Sequence, residues 1–312
     1  MLVAVIDLGT NTFNLLIAEI DTGRNLYAKK VRNRISVKLG EGGINQGYIA
    51  EQPFQRGIEA IKRFKAIIDT YPVDEVVAIA TSAIRSASNG TDFTGEVLRL
   101  TGIKVTVIDG NREAELIYQG TRMAVKFEDA PSLIMDIGGG STEFIIANKD
   151  RIFWKQSFLL GAARLLEKFR PEDPVKKETI TAIENYFKEQ LAPLYSEQKT
   201  YSFKHLIGSS GAFDSFVEML ACETGSTNLS TGETEYTVDL SNYAELSKKI
   251  IRSTLEERRE IKGLIPMRMD MIVISTLFVD FILKEFNIKK LIVSTYSLKE
   301  GVIGEMLGSR TT

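Results

Sequence analysis

Ala4-Val-Ile-Asp-Leu-Gly-Thr-Asn-Thr-Phe-Asn-Leu-Leu-Ile-Ala18 recurs without a gap as Leu133-Ile-Met-Asp-Ile-Gly-Gly-Gly-Ser-Thr-Glu-Phe-Ile-Ile-Ala147. Asp7 falls on Asp136, Gly9 on Gly138, Thr12 on Ser141, Ile17 on Ile146 and Ala18 on Ala147, an offset of 129 residues from Asp7 to Asp136. Each copy is an apolar strand, an aspartate, a turn of small residues and a second apolar strand. Self-similarity at this separation predicts two domains with similar cores, each opening on a β-hairpin.

The turns carry chemistry. Gly138, Gly139 and Gly140 leave out side chains, so backbone N–H groups can converge on an anion, with the hydroxyls of Ser141 and Thr142 as further donors. Gly9, Thr10, Asn11 and Thr12 can do the same. Each turn nevertheless starts with an aspartate, which repels phosphate. Asp7 and Asp136 make sense beside a phosphate cradle if a divalent cation bridges them to it, and magnesium favours that mixture of oxygens. One copy alone reads equally well as a tight β-turn; the second aligned copy favours a site. A third small-residue turn, with Gly208, Ser209 and Ser210, lies between a strand and a helix, where a helix N-terminus offers another anion site or simply an ordinary connection.

Outward from the hairpins, short β-branched runs at 76–80, 105–108, 132–137, 143–147 and 152–157 alternate with helical periodicity. The first such helix carries Phe54, Ile58, Ile61, Lys65 and Ile68 on one face. The second half is helix-rich, at 161–169, 174–192, 211–222, 241–259, 268–286 and 297–308, with strands at 204–207 and 290–294. Segment 223–239 reads as an exposed loop or hairpin. Alternating strands and helices make this an α/β protein with mixed sheets. The break at Glu128-Asp-Ala-Pro131 divides it into residues 1–125 and 126–312.

Composition narrows the chemistry. One cysteine (Cys222) and one histidine (His205) in 312 residues exclude a disulfide framework, a multi-cysteine metal site and paired-histidine metal sites, so the acids and bases are expected to be carboxylates. A net charge of −2 lacks the global signature of a nucleic-acid binder. The N-terminus has no basic n-region, and the most apolar later stretch, Ile272 to Leu283, contains Ser275, Thr276 and Asp280 and is too short to span a bilayer. A cytoplasmic protein without membrane or nucleic-acid partners is expected.

These residues, in this order, resemble the actin-like ATPase superfamily, and more narrowly the exopolyphosphatase and guanosine pentaphosphate phosphatase (Ppx/GppA) family. The hairpins give the superfamily. The narrower likeness rests on Lys38-Leu-Gly-Glu-Gly, Ala80-Thr-Ser-Ala-Ile-Arg85, Gly110-Asn-Arg-Glu113-Ala-Glu, Leu160-Gly-Ala, Gly208-Ser-Ser-Gly, Pro266-Met-Arg268-Met-Asp270 and Leu298-Lys-Glu-Gly301. It implies two actin-like (ribonuclease H-like) domains, with mixed sheets flanked by helices, a cleft between them and the last helix docked back on the first domain. It also implies magnesium-dependent removal of a terminal phosphate from inorganic polyphosphate or guanosine pentaphosphate, with a monovalent cation such as potassium as an optional addition and a homodimer as an option. Glu113 would be the base that orients the attacking water, Asp136 and Glu143 would hold metal or assist that water, and Arg85 with the turns would grip phosphate. Arg268 is a candidate for distal phosphates, and Arg32 and Arg34 for the entrance. Taken alone, Glu113 would equally suit a helix-capping acid.

Two departures stand out. Asn14 replaces the basic residue that many members carry, and Thr295-Tyr-Ser replaces the aspartate usual before the C-terminal motif. The histidine-rich C-terminal region of longer relatives is absent from this sequence, so a short cleft that favours short polyphosphate is expected. A binding protein that senses polyphosphate or guanosine tetraphosphate without hydrolysing it is the alternative of another class.

Overall fold

In the computed structural model, which describes residues 1–225 and 232–308, two mixed sheets lie on either side of a shared pair of helices. The first sheet is built from β1 (Leu2–Leu8), β2 (Thr12–Asp21), β3 (Leu26–Ser36), β4 (Glu75–Ala80) and β5 (Val105–Val107), in the order β3-β2-β1-β4-β5. Helices α1 (Glu51–Ile68), α2 (Ser82–Ser86), α3 (Gly90–Thr101) and α4 (Gly110–Ala124) connect it. In the second sheet, β6 (Ser132–Ile137), β7 (Thr142–Ala147), β8 (Ile152–Phe158) and β9 (His205–Ser209) are joined by β10 (Glu235–Val238) and β11 (Lys290–Ser294), in the order β10-β11-β9-β6-β7-β8. Its helices are α5 (Ala162–Phe169), α6 (Lys177–Gln190), α7 (Ala192–Thr200), α8 (Gly211–Thr224), α9 (Leu240–Arg252), α10 (Leu255–Arg259), α11 (Ile272–Glu285) and α12 (Leu298–Gly308).

The repeat survives in the register. Asp7 pairs with Asn14 across β1–β2, and Asp136 pairs with Glu143 at the same place in β6–β7. In both sheets the first strand of the hairpin runs parallel to its other neighbour, β1 to β4 and β6 to β9. Every residue of β6 and β7 is buried, which explains why these strands read as apolar runs rather than as alternation.

Three apolar clusters hold the layers together. Outer cores cover the far faces of each sheet, and a middle core joins Val3, Val5 and Leu16 of the first sheet to Ile134, Ile145 and Ile207 of the second through Leu116, Ile117, Val302 and Ile303 of α4 and α12. The two central helices touch backbone to backbone. A Cβ on Gly301 would lie 1.8 Å from the Leu116 carbonyl oxygen, and one on Gly120 would lie 2.1 Å from that of Ser297. Only glycine permits this approach. α4 also packs on β7 and β8, and α12 on β1 and β2, so the middle layer ties each sheet to the other's chain segment.

Several expected elements differ in detail. Residues 241–259 are two helices, because Thr254 and Glu257 form a capping box that starts α10 afresh. Residues 174–192 become α6 followed by α7, with Pro193 in the first turn of the latter. The helix expected from 268 begins at Ile272, after a 3₁₀ turn at Pro266–Arg268. Of segment 223–239, expected as an exposed loop or hairpin, residues 226–231 lie outside the described residues, and Glu235–Val238 is a strand that pairs antiparallel with β11.

Candidate active site

The two hairpin turns meet tip to tip. Gly9 and Gly138 do the same job in each: a Cβ would come within 2.8 Å of the Thr12 carbonyl oxygen in the first turn and 2.9 Å of the Ser141 oxygen in the second. Gly139 and Gly140 press against the opposing turn, where added methyls would lie 3.0 Å from Thr10 Cβ and 2.5 Å from Thr10 Oγ1. Between the turns is a cavity of about 120 Å³ lined by Asp7, Gly9, Thr10, Asn11, Thr12, Glu113, Asp136, Gly138, Gly139, Gly140, Ser141, Ser210 and Arg268 of the expected residues. Asn11 Nδ2, Thr12 Oγ1 and Ser82 Oγ are buried there without a partner, donors in place for a ligand that brings acceptors.

Glu113 enters from α4. Asp109 caps that helix by accepting from the Arg112 N–H at 2.7 Å, so Glu113 is not the capping acid. Its carboxylate instead accepts from Nη1 of Arg85 at 2.8 Å, while the same Nη1 donates to the Ile108 carbonyl at 3.0 Å. Gly110 lets the start of α4 approach β8, since a Cβ there would lie 2.4 Å from that of Ser157. Ser157 in turn donates to Glu143 at 2.7 Å. Thus Glu113 of α4 and Glu143 of β7, 7% and 1% exposed, come to one place.

Burial dominates the electrostatics. It pushes Glu113 up to about 7, against the pull of Arg85 and with help from the charges of Asp136 and Asp7. Asp136 is pushed up to about 6 by burial, opposed by the neighbouring hydroxyls of Ser209 and Ser210. Glu143 is held well above the usual carboxylate range by burial, then by the charges of Glu113 and Asp136. Asp7 is raised by burial, and Lys299 and the Asn14 side chain, whose Nδ2 donates at 3.0 Å, work against this. The cleft therefore gathers four carboxylates that resist being ionised together.

Not every expected contact faces the cavity. Thr142 turns its hydroxyl into the core, onto the Leu160 carbonyl at 3.0 Å. Gly208 serves packing, because a Cβ there would strike the Phe213 ring at 2.1 Å. Ser209 supports Asp136 from behind, Glu143 sits one layer back, and Arg85 is engaged with Glu113. Ser210 holds a φ of 74°, a strained conformation for a serine, and donates to the Ile137 carbonyl at 3.0 Å.

Further charged residues line the site. Lys299, 5% exposed at the head of α12, brings its charge toward Asp7 and Asp136. Arg34 lies opposite Asn14 across β2–β3 and donates to its Oδ1 at 3.3 Å. It also reaches Asp214 of α8 at 3.9 Å, bridging the lobes. The expected entrance residues Arg32 and Arg34 line both this cavity and a second of about 430 Å³, where Asp214, Val217, Glu218 and Tyr236 form the other wall.

Among the described residues no group of three or more carboxylate, histidine or cysteine side chains stands close enough to hold a metal ion. That arrangement still suits magnesium, which takes one or two carboxylates and fills its remaining positions with water and phosphate oxygens. Asp7 and Asp136, at matching places beside the turns, are the groups that could hold it. No helix among the described residues is long and apolar enough to cross a membrane.

Two sheets of repeated topology, sharing a central helix pair and opposing two small-residue turns over buried carboxylates, define a protein of the actin-like fold. The Ppx/GppA phosphatase family model matches residues 16–310, and the chain belongs to that family of hydrolases. The crystal structure of an exopolyphosphatase from Cytophaga hutchinsonii superposes with a TM-score of 0.96 at 42% identity, covering 99% of this chain and 98% of that one. The Aquifex aeolicus Ppx/GppA enzyme superposes with a TM-score of 0.78 at 25% identity, covering 98% and 99%. The bifunctional 3-dehydroquinate synthase/phosphatase of Fusobacterium nucleatum is 32% identical across 97% of this chain, which spans only 46% of that relative.

Proposed function

We propose that the chain is a magnesium-dependent exopolyphosphatase that removes the terminal phosphate of inorganic polyphosphate with a water activated by Glu113. The observation that carries this reading is Glu113 itself: a buried carboxylate at the cavity wall, pushed up to about 7 and oriented by Arg85. A base with that affinity for a proton is matched to work near neutral pH. The likeness to an exopolyphosphatase supports the substrate class.

The terminal phosphate would lie between the turns, on the backbone N–H groups of residues 139–141 and the donors of Thr10, Asn11, Thr12 and Ser141. Glu113 takes the proton of the attacking water, and Arg85 keeps its carboxylate aimed. Glu143, which burial and the neighbouring charges hold toward its protonated form, contributes a hydrogen-bonding wall behind that water. Magnesium at Asp7 and Asp136 would supply charge neutralisation for the phosphate oxygens, the main demand of phosphoryl transfer.

A second reading, guanosine pentaphosphate 5′-phosphatase, is favoured by the 430 Å³ cavity alone. Its carboxylates and its Val217–Tyr236 wall suit the N–H edge and ring of a purine better than they suit a bare polyanion. Phosphate release from tripolyphosphate, long polyphosphate and guanosine pentaphosphate, with magnesium and in wild type against Glu113→Gln, tests both. Loss of release in the variant supports the hydrolase, and the ranking names the substrate. Tight binding with no release by wild type would leave a sensor.

A further inference from the structure

Helix α5 begins directly behind the glycine turn and captures its carbonyls in succession. The Ala162 N–H donates to the Gly138 oxygen at 2.9 Å, and the Ala163 N–H donates to the Gly139 oxygen at 2.9 Å. The third carbonyl, that of Gly140, is taken by a side chain, Nε of Arg164, at 3.0 Å. In a trans peptide the N–H points opposite to the carbonyl of the same plane. Three carbonyls drawn back to α5 therefore turn the N–H groups of Gly139, Gly140 and Ser141 toward the cleft. Arg164 fixes the last of these planes.

The same guanidinium also holds the other lobe. Its Nη1 donates to the Ile44 carbonyl at 2.8 Å, in the connection between β3 and α1. Asn45 Nδ2 returns a hydrogen bond to the Arg164 carbonyl at 3.1 Å. Nη2 is buried without an acceptor, so the group is pinned at some energetic cost rather than resting in solvent. Its three acceptors, the Gly140 and Ile44 carbonyls and Asn45 Oδ1 at 3.4 Å, are all neutral, which makes the contact one of geometry, suited to a rigid planar fork and not to a flexible ammonium.

We propose that Arg164 is a positioning residue that ties closure of the lobes to the orientation of the phosphate-binding turn. When the lobes separate, the Ile44 and Asn45 acceptors leave together, the guanidinium keeps no anchor on the first lobe, and the Gly140 peptide is released. The turn then presents its full set of N–H groups only in the closed cleft. In kinetic terms this inference rests on the proposed hydrolase, but the peptide-orientation claim stands without it.

Amide hydrogen exchange read on peptides covering 38–48 and 138–144 tests it, in wild type, Arg164→Ala, Arg164→Lys and Asp270→Asn. The last variant breaks the 2.6 Å Lys38–Asp270 ion pair, which joins the same connection to the second lobe without touching the turn. Arg164→Ala is expected to speed exchange about tenfold in both peptides, Asp270→Asn in 38–48 only, and Arg164→Lys to fall between wild type and alanine. With tripolyphosphate and magnesium, Arg164→Ala should lower kcat about tenfold even at saturation, whereas Asp270→Asn should alter KM and keep kcat within about twofold. Unchanged protection of 138–144 in a folded Arg164→Ala protein overturns the proposal, as does an identical pattern for Arg164→Ala and Asp270→Asn. Absence of phosphate release by wild type would overturn the hydrolase reading alone, and the exchange pattern would still decide this one.

Discussion

Arg85 Nη1 lies 2.8 Å from Glu113 Oε2, and this ion pair sets a favourable charge beside Glu113 against burial and two neighbouring aspartates. The pair spans α2 and α4, so the basicity of the candidate base is set by a residue 28 positions earlier in the chain. Arg85 lowers the proton affinity of Glu113, and its removal must raise it. Arg85 thereby decides at what pH the base is available.

With Glu113 at about 7, kcat/KM should fall about tenfold per pH unit on the acid side of neutrality, because the base is lost as it takes up a proton. Arg85→Gln should move that limb to higher pH and lower the plateau about 100-fold. A pH–rate profile of the two proteins checks this. An acid limb at the same pH in both would separate Arg85 from the titration.

Glu143 gives an effect on stability with the opposite sign to a salt-bridged acid. Its folded-state pKa is raised, by burial first and then by Glu113 and Asp136, so the folded protein keeps a proton that the unfolded chain releases above about 4.5. Stability is therefore greatest at low pH and is lost as pH rises from that value toward the folded pKa. Glu143→Gln removes this loss. It should raise Tm by about 2–4 °C at pH 8, with little change at pH 4, while phosphate release drops. Calorimetry at the two pH values reads the difference, and an equal Tm change at both would contradict it.

Gly161 shows how tightly the second turn is held. A Cβ there would lie 2.4 Å from backbone atoms of Gly139 and Gly140, which have no side-chain freedom to give way. Gly161→Ala should displace the turn, cutting kcat/KM about 100-fold or more and lowering Tm by several degrees, an overpacking cost of about 1–3 kcal/mol. Full activity in the variant would mean that the turn's position is not critical to the reaction.

The hairpins and the repeat were legible because each is local, a strand, an aspartate and small residues in an unbroken run; Glu113, an acid in the first turn of a helix, was singled out by the family resemblance, since its position alone suits a capping acid. Asp7, Asp136 and the turn residues fall in the cavity wall as the pattern implied. Thr142 and Gly208 face elsewhere because the pattern fixes which residues are small, and the core decides which way a hydroxyl points. Lys299, Asp214 and Arg164 act through partners 100 or more positions away, such as Arg34 for Asp214 and Ile44 for Arg164, and no periodicity encodes those meetings. Residues 241–259 failed for a different reason. The Thr254–Glu257 capping box restarts the helix there, and the helical periodicity that continues on both sides does not register the break.

The carboxylates make the metal testable without turnover. Asp7, Glu113, Asp136 and Glu143 are all raised, and the last three press on one another by charge, so a divalent cation entering near Asp7 and Asp136 should relieve that strain and lower their proton affinities. Magnesium that binds the folded state alone stabilises it, by about 2.7 kcal/mol at a hundredfold excess over Kd. Millimolar magnesium should therefore raise Tm by several degrees at pH 8. The gain should shrink as pH falls through about 6, where Asp136 takes up its proton and competes with the cation. In Asp136→Asn most of the gain should vanish at every pH, and in wild type a chelator should abolish both the gain and phosphate release. A Tm indifferent to magnesium, together with release that survives chelation, would remove the metal from the mechanism and leave Lys299, Arg34 and Arg268 as the charges that must neutralise the phosphate.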